Sequence, residues 1–196
     1  AHSIKVGDEL FLNTKLTEMI HEILRPIIKP GDLVVDATLG NGFDTLFLAK
    51  AVGPQGKVIG FDIQECAIEN VRRRLENEGL LERVSLIQDS HSNIDKYIFE
   101  PIGGAMFNLG YLPGGDKELI TKPQSTVEAL EKTSCLLSRG GFITILSYWG
   151  HAGGKDEKEA VEKFLSKLDN KIFLTAKFKF LNRSGNPPVI YLVQKL

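Results

Sequence analysis

The residues best suited to chemistry lie early in the chain, in a loop that contains two glycines. The segment DATLGNGFDT occupies residues 36–45, where a strand-like apolar run gives way to a helix-like one. Gly40 and Gly42 allow the backbone to turn tightly and to approach a ligand without obstruction by a side chain. Thr45 stands where a dinucleotide-binding loop has its third glycine, so the loop does not favour a pyrophosphate.

The charge that flanks this loop indicates which ligand it accepts. Asp36 and Asp44 suit an ammonium or a sulfonium group better than a phosphate, because opposite charges attract. Asp44 also fits the N-cap of the following helix, and both roles can hold together. The loop is therefore predicted to bind a cationic cofactor without a phosphate, through Asp36, Thr38, Gly40, Gly42, Phe43, Asp44 and Thr45.

Acidic and polar residues also end the next two predicted strands. Asp62 follows the second strand, about twenty residues beyond the loop, where a carboxylate accepts hydrogen bonds from ribose hydroxyls. This placement fits a nicotinamide nucleoside as well as a methionyl one. Asp89, Ser90 and His91 end the third strand and offer acceptors and donors to an adenine, although each alone could cap a helix. Together these strand ends predict a nucleoside site at one edge of a sheet.

The elements that must position these residues alternate between helix and strand. A leading helix is predicted over residues 10–28. Five strands separated by helical segments are predicted over residues 33–36, 57–61, 84–87, 105–109 and 142–148. Two last strands, residues 172–181 and 189–194, have a link too short for a parallel crossover and should form an antiparallel pair. The predicted fold class is α/β, a Rossmann-like, seven-stranded and mostly parallel sheet with an antiparallel terminal hairpin and helices on both faces.

Two further loops should reach the same edge of this sheet. Residues 148–151 follow the fifth strand, and residues 182–188 link the last two strands. These loops are predicted to bind the substrate, through Tyr148, His151, Arg183 and Asn186. His151 has no second His or Cys at a ligand spacing, so no metal site is predicted.

Length and composition indicate one domain over residues 1–196, with a cofactor half over residues 32–110 and a substrate-side half over residues 111–196. The first twenty residues hold no apolar signal core, and no apolar run reaches membrane-spanning length. A cytoplasmic protein without a membrane partner is therefore expected. Cys66 and Cys135 lie outside any CxxC spacing and are expected to be reduced core residues on helices.

The charge balance excludes a chain that is basic throughout but leaves local patches. The formal net charge is −1, so capture of a nucleic acid must come from particular surfaces. Residues 170–196 hold five basic and no acidic residues, which fits either an RNA contact or lysines that block pairing at a sheet edge. The run of arginines at residues 72–74 lies among glutamates and fits the solvated face of a helix.

Four motifs together make the chain resemble a known family. DATLGNGFDT, GKVIGFD, QDSH and FNLGYLPGGDK resemble the small bacterial family of putative rRNA methylases over nearly the whole chain, and more narrowly its members that act on transfer RNA. The resemblance implies a class I methyltransferase fold and the cofactor S-adenosylmethionine. It implies N-methylation of the 5-aminomethyl group of a modified wobble uridine, with the tRNA anticodon region as partner. It further implies that the cofactor is held by Asn41, Asp44, Asp62, Gln64, Ser90 and His91.

The end of the fourth predicted strand resembles a motif of amino-directed methyltransferases. In the segment from Asn108 to Tyr111, Leu109 and Gly110 replace both prolines of an Asn-Pro-Pro-Tyr motif. The resemblance implies that Asn108 accepts hydrogen bonds from the target amine, and Tyr111 could provide a stacking surface for a base. Asn108 as a loop cap and Tyr111 as an ordinary packing residue are the alternatives. Asn108 and Tyr111 are the predicted catalytic residues.

Several alternatives stay open from the sequence. A methyltransferase of this fold could act on a small molecule, a protein or ribosomal RNA, and the net charge of −1 fits a small molecule slightly better. A nicotinamide-dependent oxidoreductase would explain Asp62 as a ribose ligand. It would not explain Thr45 at the place of the third glycine, or the terminal hairpin. A non-catalytic binding module would not need Asn108 beside the nucleoside site. The oligomeric state, including a homodimer, is also left open.

Overall fold

The computed structural model describes residues 15–110 and 122–196. Helices and strands alternate along them in the order α1 (Leu16–Leu24), β1 (Leu33–Asp36), α2 (Phe43–Val52), β2 (Lys57–Asp62), α3 (Glu65–Asn77), β3 (Val84–Gln88), β4 (Ile102–Leu109), α4 (Pro123–Leu136), β5 (Leu137–Ser147), α5 (Gly154–Ser166), β6 (Phe173–Phe178) and β7 (Val189–Lys195). Short 3-10 turns at Leu81–Arg83 and His91–Lys96 lie on either side of β3. The predicted alternation is confirmed.

The strands of the described residues form one seven-stranded sheet in the order β3-β2-β1-β4-β5-β7-β6. β1 pairs in parallel with β2 on one side and β4 on the other. The chain winds outward in opposite directions from β1 and β4, which opens a crevice at the carboxyl ends of these strands. β7 runs antiparallel between β5 and β6, so the predicted terminal pair is confirmed.

Strand β5 begins earlier than predicted. It runs over Leu137–Ser147, so the glycine pair at residues 140–141 lies inside the strand and does not precede it. Gly140 has a φ of +80°, and the pairing with β4 changes register between Ile102 and Gly104. The glycines therefore accommodate an irregularity in the sheet, after which the parallel pairing continues to the end of both strands.

Apolar residues fill both faces of the sheet. Val34 of β1 packs with α2 and α3 through Leu48 and Val71, all fully buried. The next residue of β1, Val35, points to the opposite face and packs in the same cluster as Leu130 of α4. Burial of each such side chain contributes about 1.5–3 kcal/mol, which holds the strand ends in fixed positions.

Helix α1 packs against the segment that follows β1. The His21 ring stacks on Phe47 of α2, with centroids 4.1 Å apart and planes at 6°. Its Nε2 lies 2.7 Å from Oδ1 of Asp44. The predicted leading helix is confirmed over Leu16–Leu24, and its residues 10–14 lie outside the described residues. It ends four residues before the predicted end at residue 28.

The solvent faces of the helices carry both cysteines. Cys66 on α3 and Cys135 on α4 are exposed free thiols. The prediction that they are core residues is wrong, because the buried stripe of α3 begins one residue later, at Ala67. No helix within residues 15–110 and 122–196 is long and apolar enough to cross a membrane.

Candidate active site

An open cavity of about 590 Å³ lies at the carboxyl ends of β1, β2, β3 and β4. A volume in this range suits a small-molecule cofactor. The cavity gathers most of the predicted site residues, because parallel strands bring their carboxyl ends to one edge of the sheet. The predicted residues that line it are Thr38, Gly40, Asn41, Gly42, Phe43, Asp44, Asp62, Gln64, Asp89, Ser90, His91, Asn108, Tyr148 and His151.

The two glycines of the loop after β1 lie where the backbone turns sharply, as predicted. Gly40 and Gly42 have φ values of +53° and +85°, in the left-handed region that favours glycine. A Cβ on Gly42 would come within 2.9 Å of Cγ2 of Val71, so the missing side chain lets the loop pack against α3. Gly42 is also the N-cap of α2, which makes the alternative of Asp44 as N-cap wrong.

Asp36 and Thr45 support the loop from behind and do not line the cavity. Both are completely buried. Oδ2 of Asp36 accepts a 2.6 Å hydrogen bond from Oγ1 of Thr45, and Oδ1 accepts the N–H of Thr38 at 3.1 Å. Burial, and secondly the charge of Asp44, raise the pKa of Asp36 well above its usual range. The predicted cofactor contacts of both residues are therefore corrected, since the hydrogen bond between them joins β1 to α2.

Asp62 is the carboxylate best placed for ribose. Its Oδ2 accepts the N–H of Gly40 at 3.1 Å, and its Oδ1 accepts the N–H of Gln64 at 2.9 Å. Burial is the main reason why its pKa is raised. The backbone hydrogen bonds hold the carboxylate still at the cavity wall, and each oxygen can accept one more donor.

The residues after β3 form a local network. Asp89 accepts hydrogen bonds from the N–H of Ser90 at 2.7 Å, from Asn93 Nδ2 at 2.8 Å and from the Tyr97 hydroxyl at 2.6 Å. The hydrogen bond from Tyr97 is the main cause of the lowered pKa of Asp89. Its carboxylate is therefore largely committed to neighbouring groups, although it lines the cavity.

His91 is a buried, neutral imidazole in the same wall. Its Nδ1 lies 3.1 Å from the carbonyl oxygen of Ala37, which only accepts, so Nδ1 carries the proton. Burial lowers the pKa of His91 to about 4. Nε2 therefore offers a lone pair at neutral pH.

Asn108 lies near the end of β4, beside the glycine loop that follows β1. Its backbone N–H donates to Oγ1 of Thr38 at 2.6 Å, which ties β4 to the loop after β1. The side-chain amide of Asn108 makes no hydrogen bond with residues 15–110 or 122–196. Tyr111, the second predicted catalytic residue, lies outside the described residues.

The predicted substrate residues divide between two surfaces. Tyr148 and His151 line the cavity. Arg183 and Asn186 do not, and they line a neighbouring groove, so their predicted place in one pocket with Tyr148 is corrected. The two surfaces adjoin at Trp149, whose Nε1 donates to the carbonyl of Pro187 at 2.8 Å.

Several residues that line the cavity belong to no sequence pattern that predicts a site. Thr17 lies on α1, where helical periodicity identifies only the buried face. Lys122 and Ser125 lie at the start of α4, where no motif marks them. Ile63 is 41% exposed directly after Asp62, and an apolar residue beside a strand-ending acid could have indicated an adenine surface.

The donor set of the cavity fits a cationic nucleoside cofactor. Asp44 and Asp62 place carboxylates beside the loop, where a pyrophosphate would be repelled. In the described ranges, no three His, Cys, Asp or Glu side chains are grouped to hold a metal ion. Asp62 is therefore suited to bind ribose, and His91 is suited to bind adenine. The backbone of the loop is suited to a charged methionine portion.

Comparison with known proteins agrees with this chemistry. A sequence model of the family described as putative rRNA methylase matches residues 58–194. A model of protein-L-isoaspartate(D-aspartate) O-methyltransferase matches residues 4–92. The "tRNA (mnm(5)s(2)U34)-methyltransferase, chloroplastic" of Arabidopsis thaliana is 39% identical, over 95% of this chain and 72% of its own length.

Solved structures show the same architecture. A putative rRNA methylase from Clostridium thermocellum is 45% identical with a TM-score of 0.91, covering 93% of this chain and 98% of the other. A putative methyltransferase from Streptococcus mutans, solved in complex with SAH, is 38% identical with a TM-score of 0.85, covering 93% and 99%. An rRNA methylase from Streptococcus thermophilus is 36% identical with a TM-score of 0.78, covering 94% and 98%.

Proposed function

The chain belongs to the putative rRNA methylase family and is an S-adenosylmethionine-dependent methyltransferase, and from this premise we propose that it methylates the 5-aminomethyl group of a modified wobble uridine in transfer RNA. The observation that carries the proposal is the position of Asn108. It lines the cavity at the end of β4, beside the loop after β1. An amide there can orient an amine toward the cofactor.

The cofactor is proposed to lie along the carboxyl ends of β1 to β3. Asp62 would accept hydrogen bonds from ribose, while Asp44 would face the positive charge of the methionine portion. Gln64, Ser90, His91 and Asn41 line the same cavity. The first three would face the nucleoside, and Asn41 would contact the cofactor from the glycine loop. When bound, S-adenosylmethionine supplies a methyl group activated by a sulfonium.

The role proposed for Asn108 is to position the target nitrogen. Its side-chain Oδ1 would accept an N–H of the amine and thereby fix the direction of the nitrogen lone pair. The 2.6 Å hydrogen bond from the Asn108 backbone to Thr38 holds the amide in place without using the side chain. His91 stays neutral at pH 7 and so does not protonate the amine. No protein nucleophile would be needed, because the lone pair of the amine would itself take the methyl group as the methyl–sulfur bond breaks, and the resulting ammonium would release its proton to solvent.

The choice of transfer RNA rests on the plant relative, whose name specifies position 34 of tRNA. Ribosomal RNA is the second candidate, favoured by the family description and by the Streptococcus thermophilus protein. The same reaction chemistry serves both, so the RNA must be identified directly. Membership of this family removes the nicotinamide-dependent alternative.

The test is nucleoside mass spectrometry on RNA from a strain that lacks the gene. Its tRNA should accumulate the unmethylated 5-aminomethyl uridine, and purified protein with S-adenosylmethionine should convert it to the methylaminomethyl form. Asn108→Ala should fail in this conversion, whereas Asn77→Ala, an exposed Asn at the end of α3, should succeed. Unchanged tRNA together with an unmethylated base in ribosomal RNA would replace the proposal by the second candidate.

A further inference from the structure

A groove lies beside the active-site cavity, between α5 and the loop that links β6 to β7. We call it the β6–β7 groove, and the side chains that characterise it are Trp149, Lys158, Lys177, Lys179, Phe180 and Arg183. Four of its lining residues are basic and none is acidic. The protein as a whole has a formal net charge of −1, so this groove is a local concentration of positive charge.

Protection of a sheet edge explains only part of this charge. β6 is the edge strand, and Lys177 lies within it. Lys177 Nζ lies 2.9 Å from both carboxylate oxygens of Glu162, and this hydrogen bonding is the main reason why the pKa of Glu162 is lowered. Lys179 and Arg183 lie beyond the end of β6 at Phe178, where there is no ladder to protect.

Three cations of the groove form no direct ion pair with a described carboxylate, although the charge of Lys158 contributes to the lowered pKa of Glu162. Within residues 15–110 and 122–196, no carboxylate lies at ion-pair distance from Lys158, Lys179 or Arg183. Two of these cations make cation–π contacts with aromatic rings instead. Lys158 Nζ lies 4.5 Å from the ring centre of Trp149, and the guanidinium of Arg183 lies 5.3 Å from that of Phe180. A stacked guanidinium keeps its N–H groups free at the edge of the plane, where a phosphate binds.

The groove is continuous with the rim of the cavity. Trp149 lines the groove, and its neighbour Tyr148 lines the cavity. The hydrogen bond from Trp149 Nε1 to Pro187 fixes this rim to the β6–β7 link. A Cβ on Gly150 would lie 3.6 Å from Cβ of Asn186, so the two loops are in close contact. A polymer with one residue in the cavity would therefore extend across the groove.

From this charge, stacking and continuity we propose that the β6–β7 groove binds the phosphodiester backbone of the RNA whose nucleotide enters the active site. This inference rests on the proposed function, because it takes an RNA as the substrate. Lys179 and Arg183 provide the phosphate contacts. Contacts to phosphate carry no information about the base. With exposed loop residues beside these two side chains, the groove would accept an RNA backbone of any nucleotide sequence.

The test compares two double variants that each remove two positive charges. Lys179→Ala/Arg183→Ala changes the groove, whereas Lys57→Ala/Arg139→Ala changes two exposed residues near the amino ends of β2 and β5, at the opposite end of the strands from the cavity. Binding of tRNA from the gene-deletion strain is measured over a salt series with the full chain. Two lost phosphate contacts should flatten the slope of log K against log salt by about 1.5 and weaken binding about 30-fold at about 0.1 M salt.

We expect the groove variant to bind SAH as the wild type does. Its KM for tRNA should be higher, and its single-turnover rate at saturating tRNA should be unchanged. If the Ala variant does not fold, Lys179→Gln/Arg183→Gln removes the same charge and retains the side-chain stems. A groove variant with the salt slope and affinity of the control overturns the inference. Wild-type protein that binds this tRNA through the groove but does not methylate it would refute the proposed function alone.

Discussion

Replacing Asp62 by Asn tests the nucleoside side of the cavity, since the change preserves shape and removes one charge. Each oxygen of the carboxylate already accepts one backbone N–H, from Gly40 at 3.1 Å and from Gln64 at 2.9 Å. A carboxylate has about four acceptor positions, so each oxygen retains capacity for one ribose hydroxyl. The vicinal hydroxyls of the ribose match this pair of acceptors.

The expected magnitude follows from these contacts. Hydrogen bonds to a charged acceptor contribute about 1.5–3 kcal/mol, and those to a neutral acceptor about 1 kcal/mol. Asp62→Asn replaces two charged acceptors by one neutral acceptor, so SAH binding should weaken by at least about 2 kcal/mol, or roughly 30-fold or more.

The same substitution should also lower the free energy of unfolding. The new amide nitrogen must face the N–H of Gly40 or of Gln64, which costs about 1–3 kcal/mol as an unsatisfied pair of donors. Burial raises the pKa of Asp62, which shows that its charge is costly to desolvate. Removing the charge offsets part of the loss, so the net decrease should be near about 1 kcal/mol.

Titration calorimetry with SAH and urea unfolding measure the two effects separately. Asp32→Asn is the matched control, because Oδ2 of Asp32 accepts the N–H of Lys29 at 2.8 Å at the other end of β1, away from the cavity. SAH affinity within twofold of the wild type in folded Asp62→Asn would place the ribose elsewhere. An equal loss in Asp32→Asn would mean that the effect is not local to the site.

Three further changes test other parts of the site. Asn108→Ala should lower the single-turnover rate at least about a hundredfold, because it removes one preorganised contact worth about 3–4 kcal/mol. Full activity, or a matching loss of SAH affinity by calorimetry, would contradict the positioning role. Gly42→Ala should lower the free energy of unfolding in urea by about 2–3 kcal/mol, and the control Gly31→Ala by about 1 kcal/mol. Both glycines have a positive φ, but only Gly42 lies against Val71. Equal losses in the two variants would mean that the contact with Val71 is not the cause. Relative to His91→Gln, the wild type should lose about 2 kcal/mol of unfolding free energy between about pH 7 and about pH 4.5, since the unfolded His takes up a proton near its usual pKa while burial lowers the folded pKa to about 4. A pH-independent difference would mean that His91 has the same pKa in the folded and unfolded states.

The sequence alone determined the alternation of elements and therefore the edge at which the site lies. Short apolar runs ending in Asp62 and Asp89, separated by helical periodicity, require parallel strands whose carboxyl ends meet. Asn108 reaches the same edge for the same reason. These are local patterns combined with one topological rule, so they needed no knowledge of packing.

The tertiary structure decided which of several similar residues line the cavity. Asp36 and Asp44 flank one loop, but Asp36 is buried against Thr45 while Asp44 lines the cavity beside His21. Likewise Lys177 is held by Glu162, whereas the guanidinium of Arg183 lies over the ring of Phe180. The reason is that these partners come from other elements, and contacts between elements depend on how helices and loops pack on the sheet, which no local spacing records.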